Sequence, residues 1–214
     1  MQDHETDDAL LTAWRAGDRR AGSRLFQRHF PSLKRFFHNK VPAGEEDDLI
    51  QNTMIGCVES ATRFEGQSSF RTFLFRIAHN KLADYYRKKS RSPKTFDFEQ
   101  FSVADSRTGL STLQLRYQRQ ALLLESLQAL SINDQIVLEL YYWEPLSARE
   151  IGLITGHPEP AVRSRIRRAK ERLLEAMKTR SANPKQSHLS TNGFEKWADE
   201  MRALRSPADG TDDE

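Results

Sequence analysis

The sequence predicts an all-α protein of two small helical domains, joined by a flexible linker and followed by a C-terminal extension. Apolar residues recur at helical spacing through residues 5–90 and again through residues 111–179, and no segment alternates convincingly as a strand would. Residues 91–110 lose this period and hold serine, proline and scattered charges, which is typical of an interdomain linker. Residues 180–214 open on a polar stretch and contain one short amphipathic segment.

The first domain is predicted to begin with two helices. Thr6 is a suitable N-cap, and the two aspartates that follow it suit the positive end of a helix dipole. This helix should end near Gly17. Asp18 can cap a second helix running to about Lys40, although Pro31 lies inside it and should kink or break it.

A stop and two further helices complete the first domain. The Val-Pro-Ala-Gly sequence of residues 41–44 predicts a clear end to the second helix. A third helix is predicted over about 45–63, with acidic residues at its start, and residues 65–68 form a loop. Ser69 then caps a long fourth helix that reaches about Lys89.

Four helices are predicted in the second domain, over about residues 111–130, 133–143, 148–155 and 159–177. Ser131 and Ser147 are suitable caps for the second and third of these. The linker before this domain carries three aromatic residues, Phe96, Phe98 and Phe101, which would pin it onto a partner surface.

Composition excludes several classes of protein. Hydrophobic residues make up 37% of the 214 residues, and no apolar run of about 18 residues occurs, so we expect no transmembrane helix. The acidic N-terminus does not resemble a secretory signal. The single cysteine, Cys57, lies among apolar residues, as a buried thiol would. These features predict a cytoplasmic protein.

No pattern in the sequence predicts catalysis. The six histidines show no metal-ligand spacing with Cys57 or with carboxylates. No glycine-rich phosphate loop or nucleophile motif occurs. We therefore expect no enzymatic activity, no metal and no cofactor.

The charges are segregated although the net charge is only +3. Basic residues concentrate in residues 81–94 and in residues 162–172, while acids gather at both termini and in residues 45–48. Two separate basic patches predict a polyanion that is contacted at two places. The alternative is a pair of ordinary solvated helix faces.

Residues 146–173 have the pattern of a helix-turn-helix. A short capped helix over 146–154 is followed by a Gly-His-Pro turn at 156–158, and Pro160 falls in the first turn of the next helix, where its missing N–H is harmless. Such a pair of helices places the second one in the DNA major groove, where arginines reach base edges and phosphates. The candidate contacts are Arg149, Arg163, Ser164, Arg167 and Arg168. The alternative is a solvated helix.

Three segments together resemble one family. Residues 47–54, Asp-Asp-Leu-Ile-Gln-Asn-Thr-Met, look like an acidic segment in conserved region two of sigma factors. Residues 63–81 resemble that family's promoter-melting and −10 recognition segment, and residues 146–173 resemble its region four, which binds the −35 element. The resemblance covers roughly residues 8–177. Because there is no room for the additional regions of large housekeeping factors, it points to the extracytoplasmic-function group of the sigma-70 family.

The resemblance implies a region-two helical bundle and a region-four helix-turn-helix. The function it implies is to direct core RNA polymerase to specific promoters and to assist their melting. It names the coiled coil of the largest polymerase subunit as the partner of the third helix. Acceptor groups on that helix suit a basic partner surface, and the alternative is that its acids only complement the helix dipole. The implied polymerase contacts are Asp47, Asp48, Leu49, Gln51 and Asn52.

The same resemblance assigns the start of the fourth helix to the −10 element. Melted DNA needs aromatic surfaces for its unstacked bases and cations for its phosphates, and this segment has both. The implied contacts are Ser68, Ser69, Arg71, Phe73, Phe75, Arg76, Asn80 and Lys81. We expect Phe70, Leu74, Ile77 and Leu82 to be core residues instead.

Two positions depart from the family pattern, and one rival function remains. Asn52 stands where an acid is frequent, and Pro160-Ala161 replaces a frequent Gly-Thr pair, so fewer phosphate hydrogen bonds are available there.

The rival function is that of a helix-turn-helix transcription regulator with an N-terminal sensory domain, which would bind duplex DNA without polymerase. Promoter DNA and core polymerase are the expected partners, and the resemblance leaves open an anti-sigma factor as a third.

The C-terminal extension lies outside the resemblance. Phe194, Trp197, Met201 and Leu204 recur at helical spacing, followed by an acidic end over residues 209–214. A helix of about a dozen residues is marginal alone in water, so we expect it either to dock on a domain or on polymerase, or to be a disordered tail.

Overall fold

The computed structural model describes residues 5–38, 40–42, 44–61, 64, 66–89 and 115–180, with side chains from residue 122 in the last of these ranges. Within these ranges the chain forms helices and no strand, as predicted. The helices are α1 (Asp7–Arg15), α2 (Arg19–His38), α3 (Glu46–Ser60), α4 (Phe70–Lys89), α5 (Leu115–Gln128), α6 (Ile132–Tyr142), α7 (Ala148–Thr155) and α8 (Glu159–Arg180). The linker 91–110 and the extension 181–214 lie outside the described residues.

The predicted caps of α1, α2 and α4 are present. Thr6 Oγ1 accepts a hydrogen bond from the Ala9 backbone N–H at 3.2 Å. Asp18 Oδ1 accepts one from the Arg20 backbone N–H at 2.8 Å, and Ser69 Oγ accepts one from that of Thr72 at 3.2 Å. These bonds satisfy N–H groups that have no partner within the helix, so the starts of the helices are fixed by local sequence.

Pro31 was expected to kink or break the second helix. It does not break it, since α2 runs continuously from Arg19 to His38 with Pro31 inside it. Proline removes one backbone hydrogen bond and crowds the preceding turn. The helix nevertheless buries a long apolar face that includes Leu25, Leu33 and Phe37, each 0% exposed. Burial of such side chains contributes about 1.5–3 kcal/mol each and outweighs the local cost.

The helix-turn-helix is a tightly constrained unit. Ser147 and Glu150 form a capping box at the start of α7, and Gly156 ends that helix in the left-handed conformation at φ 75°. Gly152 lies against the following turn so closely that a Cβ there would be 2.5 Å from the His157 carbonyl oxygen. The turn and both helices therefore have one close-packed arrangement.

One contiguous cluster of buried apolar side chains runs through both halves of the described chain. Phe37, Phe70 and Phe75 are its large members in the first half, and Leu138 and Leu173 belong to the second. Cys57 is also buried, as predicted, and burial raises the pKa of its thiol to about 12. In the ranges that the structure covers, no helix is long and apolar enough to span a membrane.

Candidate nucleic-acid interfaces

The α8 helix presents arginines to solvent on one face. The side chains of Arg163 and Arg167 are 72% and 68% exposed, and each pairs with a glutamate one turn away on the same helix. Arg163 Nε donates to Glu159 Oε1 at 2.9 Å, and Arg167 Nη1 donates to Glu171 Oε1 at 3.1 Å. Exposed pairs of this kind contribute about 0.3–0.5 kcal/mol, so an incoming phosphate can replace the glutamate at little cost.

Two other arginines of α8 have a different task. Arg172 Nη1 donates to Asp134 Oδ2, and Arg165 Nη1 lies 3.9 Å from Asp134 Oδ1. Asp134 sits in the first turn of α6 and is 1% exposed. This ion pairing fastens α8 to α6, so it sets the orientation from which the exposed arginines project. The sequence places Arg165 and Arg172 in the same basic run and does not separate these two roles.

The remaining residues predicted for −35 contact lie on two helices. Arg168 is exposed and Ser164 is partly exposed on α8. Arg149 projects from α7 into a cleft of about 660 Å³, which it shares with Arg76, Phe73 and Ser68 of the first half. The structure therefore places Arg149 beside residues that were predicted to contact the −10 element.

The start of α4 combines aromatic and cationic groups at this cleft. The rings of Phe64 and Phe73 lie 4.6 Å apart between centroids and are tilted by 43°. Arg76 is exposed and forms no ion pair with a described residue. Phe73 is only partly buried, so one edge of this aromatic pair is available to a base.

Arg71, by contrast, is held by the second half of the chain. Its Nη1 donates to the Glu144 backbone carbonyl at 3.1 Å, and its Nη2 lies 3.9 Å from Glu144 Oε2. The neighbouring Thr72 donates through Oγ1 to Glu150 Oε1 at 3.2 Å. Burial raises the pKa of Glu150, but hydrogen bonds from Ser147 and Thr72 outweigh it and hold the pKa below its ordinary value. That carboxyl group is therefore an anionic acceptor at neutral pH.

The structure corrects the placement of Phe75. Its ring is 0% exposed and packs against Phe36 with centroids 5.5 Å apart, so Phe75 belongs to the core and not to the DNA surface. Asn80 is exposed, as a DNA contact would be. Lys81 lines a cleft that faces α3, whereas Phe73 and Arg76 line the cleft that also holds Arg149.

That second cleft, of about 640 Å³, runs between the start of α3 and the end of α4. Asp48 and Asn52 line it, and Asp47 and Gln51 are also exposed. Leu49 is 8% exposed and packs in the core, so it positions the acids beside it and has little surface of its own to offer a partner. The exposed start of α3 is therefore a short acidic and amide surface.

Sequence reasoning missed the ion pairs that join the two halves. Lys40 is 0% exposed and donates through Nζ to Glu139 Oε2 at 2.5 Å and to the Phe36 carbonyl at 2.7 Å. Arg35 Nη2 donates to Glu144 Oε1 at 2.9 Å. The partners are about a hundred positions apart in sequence, so no local signal identifies them.

Two family models match separate parts of the chain. Residues 25–92 match the family model of sigma-70 region 2, and residues 120–173 match that of sigma-70 region 4. The ECF RNA polymerase sigma-E factors of Escherichia coli (strain K12) and Salmonella typhimurium (strain LT2) are each 27% identical over 179 residues, which cover 80% of this chain and 94% of theirs.

A solved structure shows the same fold. The structure of CnrH in complex with the cytosolic domain of CnrY matches with a TM-score of 0.62 at 23% identity, over 82% of this chain and 99% of that one. The two sigma-70 models match in the order of the family and together span more than half of the chain. This chain therefore belongs to the sigma-70 family as an extracytoplasmic-function sigma factor, and it directs RNA polymerase to promoters.

Proposed function

We propose a division of labour between the two halves of this sigma factor. Residues 5–90 bind core polymerase, recognise the −10 element and assist its melting, residues 111–179 bind the −35 element, and residues 91–110 connect them. The observation that carries this proposal is the separation of three exposed surfaces with suitable charge. They are the acidic start of α3, the aromatic and cationic start of α4, and the arginine face of α8.

The polymerase contact is assigned to Asp47, Asp48, Gln51 and Asn52. All four are exposed on adjacent turns of α3, and they offer carboxylate and amide acceptors to a basic partner. Complementary charge of this kind steers association and fixes the register of the two surfaces. Leu49, which points into the core, supports this surface from beneath.

The −10 contact is assigned to the cleft of about 660 Å³ at the start of α4. Phe73 supplies an aromatic face, Arg76 and Asn80 supply exposed polar groups, and Ser68 and Ser69 lie at the start of the helix. Stacking of an unpaired base on an aromatic side chain contributes about 1–3 kcal/mol, so capture of such bases holds a melted duplex open without any chemical step. The bond-forming chemistry of transcription stays with the polymerase, and the sigma factor contributes binding.

The −35 contact is assigned to Arg163, Ser164, Arg167 and Arg168 on α8. The Asp134 ion pairs fix the orientation of this helix, which suits a recognition helix whose side chains must meet base edges at set positions. Arg149 is best assigned to the phosphate backbone near the cleft, because it projects away from the α8 face.

Runoff transcription tests the whole assignment. Purified core enzyme and the full chain are incubated with genomic promoter fragments, and initiation at specific sites is the expected result. Copurification with core polymerase is expected at the same time. Sequence-specific duplex binding without core, and no transcript with it, would instead support a helix-turn-helix regulator with an N-terminal sensory domain.

The polymerase surface is tested by a charge reversal in the same assay. Asp48→Arg should weaken core binding by a few kcal/mol, because the altered side chain would face a basic partner. Asp8→Arg is the matched control, since it makes the same change on an exposed residue of α1. Equal affinity of both variants for core would contradict the assignment of α3.

An anti-sigma factor is proposed as a third partner. The structural relative was solved in complex with the cytosolic domain of another protein, CnrY, which supports a protein partner for the present chain. Affinity purification of the tagged chain from cells should recover a protein that displaces it from core polymerase. Recovery of core alone under all growth conditions tested would contradict the proposal of an anti-sigma partner.

The location that we propose for the chain is the cytoplasm, at the nucleoid, because a factor that acts on chromosomal promoters works there.

A further inference from the structure

The first turn of α8 lacks the features with which the start of a helix binds phosphate. Exposed N–H groups and the positive end of the helix dipole make most helix starts suitable for anions. Here Pro160 has no N–H. The N–H groups of Ala161 and Val162 are already engaged, since both donate to the Pro158 carbonyl oxygen, at 3.0 and 3.2 Å. Glu159 adds a carboxylate at the same end, so a DNA phosphate has little to bind there.

Glu159 instead binds Arg163, which lies one turn further along the helix. Nε and Nη2 of Arg163 both donate to Glu159 Oε1, at 2.9 and 2.5 Å. The side chain of Glu159 is 36% exposed and that of Arg163 is 72% exposed. The carboxylate therefore occupies one edge of the guanidinium, and much of the remainder is accessible to a ligand.

The edge of the guanidinium that Glu159 leaves accessible suits a guanine. An arginine has five N–H donors in a rigid plane, so Nε and Nη2 form one edge while Nη1 and Nη2 form the other. Two donors on the outer edge match the O6 and N7 acceptors that guanine presents in the major groove. Arg163 can therefore keep Glu159 on one edge while it binds a guanine with the other. The first turns of a recognition helix are the part that contacts base edges.

A phosphate would gain less than a guanine from the same arginine. Displacing Glu159 costs little in itself, but its carboxylate stays on the same face of α8 and repels a second anion placed beside it. Guanine carries no charge and leaves the ion pair intact. Glu159 therefore favours a base over a phosphate as the partner of Arg163.

The second exposed arginine of this face, Arg167, is bound differently by its acid. The hydrogen bond that joins Arg167 to Glu171 runs from Nη1, at 3.1 Å, and so involves the outer edge of the guanidinium. An outer edge that already holds a carboxylate is not available to a guanine in the same arrangement. The geometry that suits guanine recognition with the ion pair kept is therefore that of Arg163.

We propose that Glu159 determines promoter specificity by holding Arg163 in position to bind a guanine of the −35 element. The proposal rests on the proposed function, in which α8 binds that element. Glu159 is a positioning residue, because it acts through Arg163. It weakens binding to DNA in general and raises the preference for the correct sequence. Specificity is a difference of affinities, so an acid that disfavours every other site contributes to it.

The experiment compares Glu159→Ala with Glu175→Ala in holoenzyme that contains the full chain. Glu175 is the matched control, because it is exposed on the same helix and pairs with Lys178, with 3.5 Å between Nζ and Oε2. Affinity is measured for a promoter on which the unaltered holoenzyme initiates and for the same promoter with a scrambled −35 element. The readouts are the ratio of the two affinities and the dependence of each affinity on salt. Loss of helix stability alone would weaken binding to both promoters and leave their ratio unchanged.

Glu159→Ala should bind the scrambled promoter more tightly and lower the ratio of affinities about tenfold, because Arg163 then binds phosphates as well as bases. For the same reason, the plot of log affinity against log salt should become steeper by about one phosphate contact. Glu175→Ala should leave the ratio unchanged. In a chain that already carries Arg163→Ala, Glu159→Ala should not change the ratio further, because Glu159 acts through Arg163.

Replacing the guanines of the −35 element one at a time by 7-deazaguanine, which lacks the N7 acceptor, identifies the base. At one position the unaltered holoenzyme should lose about tenfold in affinity, and holoenzyme with Arg163→Ala should lose nothing. The inference is overturned if Glu159→Ala leaves the ratio unchanged or if Glu175→Ala lowers it equally. It is also overturned if the effect of Glu159→Ala persists without Arg163, or if no guanine replacement weakens binding.

The same measurements separate this inference from the proposed function. An unaltered holoenzyme that does not distinguish the promoter from its scrambled form would contradict the proposed role of α8, and the inference with it. An unaltered holoenzyme that distinguishes them, together with a Glu159→Ala holoenzyme that does so equally well, would contradict only the role of Glu159.

Discussion

The two surfaces assigned to promoter DNA are built from the same residue types but differ in their availability. On α8, Arg163 and Arg167 project into solvent and, among the residues that the structure describes, pair with glutamates of their own helix. At the start of α4, Arg71 is only 34% exposed and is bound by a different part of the chain. The difference shows that a cationic side chain is ready for DNA only when its competing partner is weak, local and hydrated.

The largest expected effect comes from removing an acid from the contact between the two halves. Glu139→Ala leaves the fully buried Lys40 without its carboxylate, and breaking a buried pair in this way costs about 3–5 kcal/mol. We expect the halves to separate, which would make the start of α4 as accessible as α8. Scattering from solution should show a larger radius of gyration, whereas an unchanged radius with normal helix content would contradict the contact.

A pH titration tests whether His79 of α4 is buried in its neutral form. Burial, above all, lowers the pKa of His79 from 6.5 to about 4, opposed by a hydrogen bond with Asn80 and assisted by the charge of His157. The unfolded chain takes up this proton first as the pH falls below 6.5, so stability is complete above that pH and is lost down to about 4. The loss at the acid end is about 3 kcal/mol.

Denaturant unfolding between pH 7 and 4 measures this loss. His79→Gln cannot take up the proton, so its free energy of unfolding should fall less over the same interval. Parallel curves for the two proteins would show that His79 is not a neutral, buried group in the folded chain.

A smaller effect is expected on α8. Arg163→Ala or Arg167→Ala should cost about 1–3 kcal/mol on the −35 element if the side chain reads a base. A filter-binding series with holoenzyme measures the loss on the promoter and on a scrambled −35 sequence. Equal losses on both would identify a phosphate contact and remove the base-reading role.

The smallest effect is expected from deletion of residues 181–214. A docked amphipathic segment would change core affinity or promoter output by no more than about tenfold, the contribution of a short marginal helix. Runoff transcription with the truncated chain measures it. Unchanged output and affinity, with Trp197 fluorescence that reports full exposure in the intact holoenzyme, would exclude a regulatory role for the extension.

The sequence predicted what depends on neighbouring residues. The caps at Thr6, Ser69 and Ser147 were predictable because each hydrogen bond spans only three positions. The length of α7 and the continuation of α4 to Lys89 followed from apolar spacing in the same way. The family, and with it the function, was predictable because three motifs agreed.

Features that depend on packing between residues far apart in the sequence could not be predicted. Phe75 was assigned to DNA because its sequence neighbours are, but α2 covers its ring. Lys81 was assigned with the −10 residues, and its place in the cleft that faces α3 depends on how α3 packs on α4, so this assignment stays a prediction. The pairing of Arg35 with Glu144 joins residues 109 positions apart, and neither residue has a local feature that identifies the other.

The close approach at Gly152 has a consequence for evolution and for design. A side chain at this position would push the His157 carbonyl away and rotate α8 against α7, since a Cβ would lie 2.5 Å from that oxygen. A rotation of a few degrees, carried along a helix of 22 residues, displaces its side chains relative to the base pairs they address. New promoter preferences should therefore arise by exchange of side chains on the outer face of α8, while the turn between α7 and α8 stays unchanged.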